Sequence, residues 1–182
     1  MLYTRTLVAE DFAVPETVET PCYRLRKLTI ADLDADFEAV TSSEDYLRGV
    51  FGAGNTWPAG LTRERDLADL GWHETEFNLR TSFAYSVMSL DESLCLGCVY
   101  IYPSRATAYD AFCTMWVRAS MVTEGLDEDL FGTVKNVSLV ASTLYNNACF
   151  LIDCHSTASP QPLQRHIVPS DPHIFRDNPC PR

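Results

Sequence analysis

Residues 82–104 read SFAYSVMSLDESLCLGCVYIYPS, and this stretch decides the architecture. From Phe83 to Ser89, Phe83, Tyr85 and Val87 alternate with Ala84, Ser86 and Met88, the period-two pattern of a strand. Asp91-Glu92-Ser93 supplies a turn, and Leu94 to Tyr102 forms the return strand, ended by Pro103. Gly97 in mid-strand predicts a bulge or the close approach of another backbone. A loop through Ala108 leads to a third strand, Phe112 to Arg118, which completes a β-meander.

On the N-terminal side, Tyr23 to Leu28 alternates apolar and basic residues, the mark of a strand with one wet face. Thr29 caps a helix, with Asp32 in capping-box position, and Ile30, Leu33, Phe37 and Val40 predict one buried stripe. A short helical piece from Asp45 to Phe51 is closed by Gly52-Ala53-Gly54-Asn55. Thr62 caps a longer helix, about Arg63 to Leu79, with Leu67, Leu70 and Phe77 turned inward. On the C-terminal side, Gly125 and Asp127-Glu128-Asp129 open a helix to about Leu139. The order β-α-α-β-β-β-α describes an α/β (α+β) domain and calls for a parallel partner strand. Residues 1–22, with Pro15 and Pro21, read as an N-terminal arm. Residues 23–155 form the domain. Residues 156–182, with six prolines and no sustained periodicity, read as an irregular or disordered tail. Phe150-Leu151-Ile152 is compatible with one short strand.

The net charge of -11 and the lack of any basic stripe exclude a nucleic-acid partner. An acidic protein favours cationic substrates such as amines. No apolar run approaches the ~20 residues of a membrane span, and no hydrophobic signal-peptide core follows Met1-Leu2-Tyr3-Thr4-Arg5. The seven cysteines show no framework spacing and read as reduced thiols of a cytoplasmic protein. Strand alternation turns Cys95 and Cys98 to opposite faces, which argues against a metal site or a redox pair. Cys149, Cys154, His155 and His166 lack the second tight pair that a zinc site needs. No metal is expected.

The phrases "YRLRKLTIADLDADFEAV", "WHETEFNLRTSFAYSVMS", "CLGCVYIYPS" and "WVR", in this element order, resemble a group of small bacterial GNAT-like (Gcn5-related N-acetyltransferase) proteins over roughly residues 23–138. The resemblance implies a mixed, mostly antiparallel central sheet flanked by helices, with acetyl-CoA as co-substrate. It implies that two parallel strands splay so that backbone groups at Trp116, Val117 and Arg118 pair with the pantetheine arm. The family's phosphate loop would fall on Ala119 to Asp127, with Gly125 as its one glycine. No Arg or Gln stands there, and four acids crowd Glu124 to Asp129. A carboxylate about 6 Å from a phosphate repels it by roughly 2–3 kcal/mol at an effective dielectric near 20, so the phosphate cradle is absent as written. Tyr145-Asn146-Asn147-Ala148 is a faint echo of the family's last motif, and the resemblance ends near residue 139, which predicts loss of the fifth strand.

His73 and Glu74 fall on the helix that borders the acceptor in such folds, where either would accept an amine proton; a solvated helix face is the plainer alternative. Tyr100 and Tyr102, on one strand face, are candidates for the acceptor pocket, against ordinary core packing. The implied function is transfer of an acetyl group from acetyl-CoA to an amine of a small molecule or peptide. The alternative is a non-catalytic GNAT-fold module for binding, or for dimerisation as a homodimer, that has lost CoA.

Overall fold

A computed structural model describes residues 6–52, 54–105, 109–144, 150–154 and 163–166, with side chains described through residue 136. Its sheet runs in chain order: β1 (Thr17–Glu19), β2 (Arg24–Lys27), β3 (Phe83–Met88), β4 (Cys95–Pro103), β5 (Ala111–Val117), β6 (Phe150–Cys154) and β7 (Leu163–His166). Every neighbouring pair is antiparallel except β5 and β6, which are parallel from Ala111–Phe150 to Met115–Cys154. The sheet is therefore mixed and mostly antiparallel, as expected. The fifth strand of the family pattern is present as β6, which corrects the expected loss.

Helices cover both faces. On one side lie α1 (Leu33–Ser42), α2 (Glu44–Leu47) and α3 (Arg63–Asn78), and on the other α4 (Leu126–Leu144). Strand periodicity sends Tyr85, Val87, Val99 and Met115 toward Leu126, Leu130 and Val134 of α4. The other face packs Ala84, Met88, Tyr100 and Trp116 against Ala39, Val40, Leu47 and Leu70. Both sets of β3 residues are buried because both faces are covered. Residues 6–22 are tied down: Leu7 donates its amide to Arg80 O at 2.8 Å, the Arg80 guanidinium reaches Ala9 O and Phe12 O, and Tyr85 Oη donates to Pro15 O. Cys22 is disulfide-bonded, whereas Cys95, Cys98 and Cys113 are free, so the expectation of seven reduced thiols fails at Cys22. No helix among the described residues is long and apolar enough to cross a membrane.

Two helix phases differ from expectation. Asp32 reaches back to the Thr29 amide at 2.9 Å, as a capping box requires. The buried side of α1 then carries Asp36, Ala39 and Val40, while Ile30 is 51% exposed. Thr62 caps α3 by accepting from the Arg65 amide, and Leu70 and Phe77 are buried, but Leu67 is 42% exposed and Asp66 takes the inward position. In both helices an acid occupies a place that apolar periodicity assigned to a hydrophobe. Asp32 is neutralised by Arg26 at 2.6 Å and by the Ser86 hydroxyl at 3.1 Å. Among the described residues, neither Asp36 nor Asp66 has a cation at salt-bridge distance; Arg63 acts on Asp66 from farther away and is paired with Asp34.

Between β3 and β4 the register slips: Val87 faces Gly97, but Met88 faces Cys95, so Leu96 is an extra residue. The bulge cancels one step of alternation, and Cys95 and Cys98 join the same core face instead of opposite ones. Next to it, a Cβ built on Gly97 would lie 2.1 Å from Trp116 O and 2.9 Å from Val117 Cα. Both backbone groups are fixed by strand pairing, so neither can yield. Gly97→Ala is expected to lower unfolding free energy by roughly 3 kcal/mol or more in urea denaturation. Gly132→Ala, on α4 with nothing within 4 Å of the added methyl, should instead raise it by about 0.5–1 kcal/mol. Equal midpoints for the two variants would contradict the close approach.

Candidate functional site

Among the described residues, β5 runs past its last pair with β6. Their register ends at Met115–Cys154, and β5 continues through Trp116 and Val117. Which backbone groups turn away from β4 there follows from the antiparallel ladder. The Arg118 amide donates to Leu96 O at 2.8 Å, which makes Arg118 and Leu96 a hydrogen-bonded pair. Because such pairs alternate, Trp116 turns its N–H and C=O to β4 and Val117 turns its own away from it. Of the three residues expected at this edge, Val117 alone offers backbone groups among the described residues. The Arg118 side chain is committed elsewhere: its guanidinium holds Glu38 at 2.9 and 3.0 Å and reaches Cys95 O.

Beyond β5 the chain makes a short 3-10 turn (Ala119–Met121), and Gly125 at φ +79° leads into α4. Only a glycine adopts that left-handed turn without strain. Asp127, Glu128 and Asp129 fill the first turn of α4, where they complement the helix dipole. They leave an anion facing carboxylates. Tyr145-Asn146-Asn147-Ala148 lies outside the described residues.

On the α1–α3 face a cleft of about 990 Å³ lies over β4 and β5. Its wall is aromatic. Phe51 and Trp57 pack at 4.9 Å between centroids, Trp57 sits 6.0 Å from Trp116, and Tyr100 and Tyr102 stack with planes 4° apart. The Trp116 indole N–H donates to Tyr100 Oη at 3.2 Å, so the two expected acceptor-pocket tyrosines do line one opening and Trp116 braces it from behind. His73 lies beside them, 4.9 Å from the Tyr100 ring, with Nδ1 buried and unpartnered. Glu74, one residue on, is turned away from the cleft and accepts the Ile30 amide at 3.0 Å. His73 and Glu74 are therefore separated by helix phase; the histidine belongs to the site and the glutamate ties α3 to the start of α1.

The floor was not foreseen. Asp36 from α1 and Asp66 and Asp69 from α3 all face the cleft. The Asp36 and Asp66 carboxyls interact with one another, and the Cys98 thiol donates to Asp36 Oδ1 at 3.2 Å. Burial, then the charge of Asp66, pushes the Asp36 carboxyl up to about 7. Burial, then Asp69, pushes Asp66 up to about 6. The pair therefore shares one proton near neutrality. Burial lowers the His73 pKa against the opposing pull of Glu76 and Asp69, leaving a neutral imidazole. The sequence signal for this floor was the i, i+4 placement of Asp32 and Asp36 inside an apolar stripe, and of Asp66 in line with Leu70, His73 and Phe77. The Sγ atoms of Cys95 and Cys98 and a carboxylate oxygen of Asp36 lie within 4.8 Å of one another, a grouping that the bulge creates.

No family model matches this chain, and no curated protein matches it by sequence. Its fold is matched by solved structures. RimL, a ribosomal L7/L12 α-N-protein acetyltransferase in complex with coenzyme A, superposes with a TM-score of 0.62 at 12% identity, covering 78% of this chain and 76% of that one. The ribosomal-protein-S5-alanine acetyltransferase of Vibrio fischeri gives 0.58 at 12% identity, with 76% and 73% covered. The microcin C7 self-immunity acetyltransferase MccE, in complex with acetyl-CoA and AMP, gives 0.56 at 12% identity, with 78% and 74% covered. At this identity the likeness is one of fold, and the fold is that of the GNAT acetyltransferases.

The buried carboxyl pair has a measurable consequence. A carboxyl whose folded pKa is raised binds more protons folded than unfolded, so its contribution to stability is lost as pH rises from about 4 to about 7. Asp36→Asn keeps the shape and supplies an N–H toward Asp66. It is expected to raise stability at pH 8 by about 2–4 kcal/mol and to flatten that slope, read by urea denaturation at several pH values. A variant less stable than the parent at pH 8 would show that the carboxylate is compensated.

Proposed function

We propose that this chain is an acyl-CoA-dependent N-acetyltransferase that moves an acetyl group from acetyl-CoA to an amine of a small molecule or peptide. The observation that carries this reading is the end of β5, where the Val117 N–H and C=O are turned away from β4, beyond the last β5–β6 pair among the described residues. A pantetheine arm is an amide chain and pairs with such an edge as an added strand does. The cleft on the α1–α3 face supports the other half of the reading. Thr114 of β5 lines it, so it adjoins the strand that ends at Val117. The GNAT fold and the CoA-bound state of two of the solved structures point the same way.

The thioester supplies an activated acyl carbon. The amine lone pair forms the new C–N bond as the C–S bond breaks, and the surplus amine proton must leave. His73 is the group suited to take it: its imidazole is neutral, its Nδ1 has no partner, and it faces the cleft. The aromatic wall keeps water from the acyl group. The pyrophosphate half of the coenzyme fits poorly. Arg118 is engaged with Glu38, and the start of α4 carries acids, so the binding energy rests on the pantetheine half.

Two measurements test the reading. In isothermal titration, acetyl-pantetheine is expected to bind within about threefold of acetyl-CoA, because the nucleotide end meets the acids at the start of α4; binding of neither at millimolar concentration would sink the proposal. In a thiol-release assay with an amine panel, His73→Gln is expected to lower kcat by about 10²–10⁴. It should also remove the limb of the pH profile that rises as the imidazole loses its proton, at a pH below the ordinary histidine value. Binding without turnover of any amine would favour the non-catalytic module.

A further inference from the structure

The acidic floor of the cleft is not needed to take up a proton from a reacting amine, and its chemistry suits a different task. A nucleophilic nitrogen must be neutral, whereas a pair of carboxyls sharing one proton stabilises a nitrogen that keeps its charge. We propose that the Asp36–Asp66–Asp69 floor binds a spectator ammonium group, so that the acceptor is a diamine: one nitrogen is held as a cation and the other is presented for acylation. The inference rests on the reading of this cleft as an acceptor site only in calling the ligand an acceptor.

Three observations carry it. Asp66 is only 5% exposed and faces the cleft, and its Oδ2 has no hydrogen-bond partner. A buried acceptor left unpaired is costly, and an N–H donor from a ligand would satisfy it. The charge around it is also uncompensated. Arg63, the cation that acts on Asp66, is paired with Asp34 in a solvent-exposed contact, and Arg105 is exposed where it borders the cleft. His73 contributes no charge while its pKa is held down by burial. Finally, the lining includes the aromatic rings of Trp57, Tyr100 and Tyr102, the ring type whose quadrupole attracts an alkylammonium.

A metal ion is the competing occupant of Asp36, since Cys95 and Cys98 converge on it. The thiols argue for the ammonium. Cys98 already donates to Asp36 and Cys95 to Gly97 O, and burial pushes the Cys98 thiol well above its ordinary range, so thiolate ligands are not on hand.

The test is isothermal titration of the whole chain without any coenzyme, comparing para-xylylenediamine with para-(aminomethyl)benzyl alcohol, which differs by one ammonium. The diamine is expected to bind at least tenfold tighter. In Asp66→Asn, checked for folding by thermal melting, that ratio should fall to about one. If Asp66→Asn does not fold, Asp69→Asn takes its place and should reduce the ratio severalfold. Equal binding of diamine and alcohol to the parent protein overturns the proposal. So does a preference that disappears in Cys98→Ala while zinc binds the parent protein alone, which would assign Asp36 to a metal. Because no coenzyme is present, diamine binding without any acetyl-CoA binding would leave this inference standing and remove the transferase reading; acetyl-CoA turnover of monoamines with no preference for the diamine would do the reverse.

Discussion

Backbone touches backbone where Gly97 of β4 passes Trp116 and Val117 of β5, and much of the molecule is arranged around that approach. The approach is possible because Gly97 has no Cβ, and it sits beside the slip of register at Leu96. Three consequences follow. The bulge turns Cys95 to the helix-covered face beside Cys98, which brings the Cys98 thiol to Asp36. It directs Leu96 O to the Arg118 amide, and that bond sets the parity of β5 so that Val117 faces outward. It also leaves Cys95 O where the Arg118 guanidinium can reach it, which helps to hold that side chain against α1. One irregularity thus sets both the outward turn of Val117 and the Cys98–Asp36 contact at the floor of the cleft.

Much of this was legible from alternation. The three meander strands and the α3 cap lie within a residue of where periodicity puts them, because strands covered on both faces still alternate and Thr62 is a strong N-cap. The faces were harder. Strict alternation separated Cys95 from Cys98, and a single inserted residue reversed it, since the side-chain period is two. Helix phase failed for a different reason. In α1 and α3 an acid stands inward, and no rule of amphipathicity seats a carboxylate in a core. Glu74 and Asp66 show the effect of helix phase: the first was assigned to the site and faces away, while the second was not singled out and lines the floor. The parallel partner strand is called for by the element order and Phe150-Leu151-Ile152 is compatible with it, but loss of resemblance after about residue 139 argues it away; β6 lies at Phe150–Cys154, beside β5.

Burying carboxylates works against folding, and the buried Asp32 is treated differently from Asp36 and Asp66. Asp32 has Arg26 and Ser86, and its role is to fasten α1 to β2 and β3. Asp36 and Asp66 have each other, a thiol and an unsatisfied oxygen. A cap or a clasp does not need an orphan acceptor. Strain of this kind persists where an outside group relieves it.

The charge of the two ends then becomes one problem. At the start of α4, acids sit where a pyrophosphate would meet amides in a phosphate loop, and at the cleft floor acids sit where a cation would be held. Both ends repel anions and attract cations. Such a chain gives up affinity for the highly charged half of a coenzyme and gains it for a positively charged acceptor, provided that the neutral pantetheine is gripped by hydrogen bonds that charge does not affect. The Val117 edge is of that kind, because a β-ladder bond is indifferent to net charge. On the proposed reading, specificity would then lie with the acceptor, since the neutral arm discriminates little and a ligand that pairs with Asp66 Oδ2 relieves a buried acceptor that others leave unsatisfied.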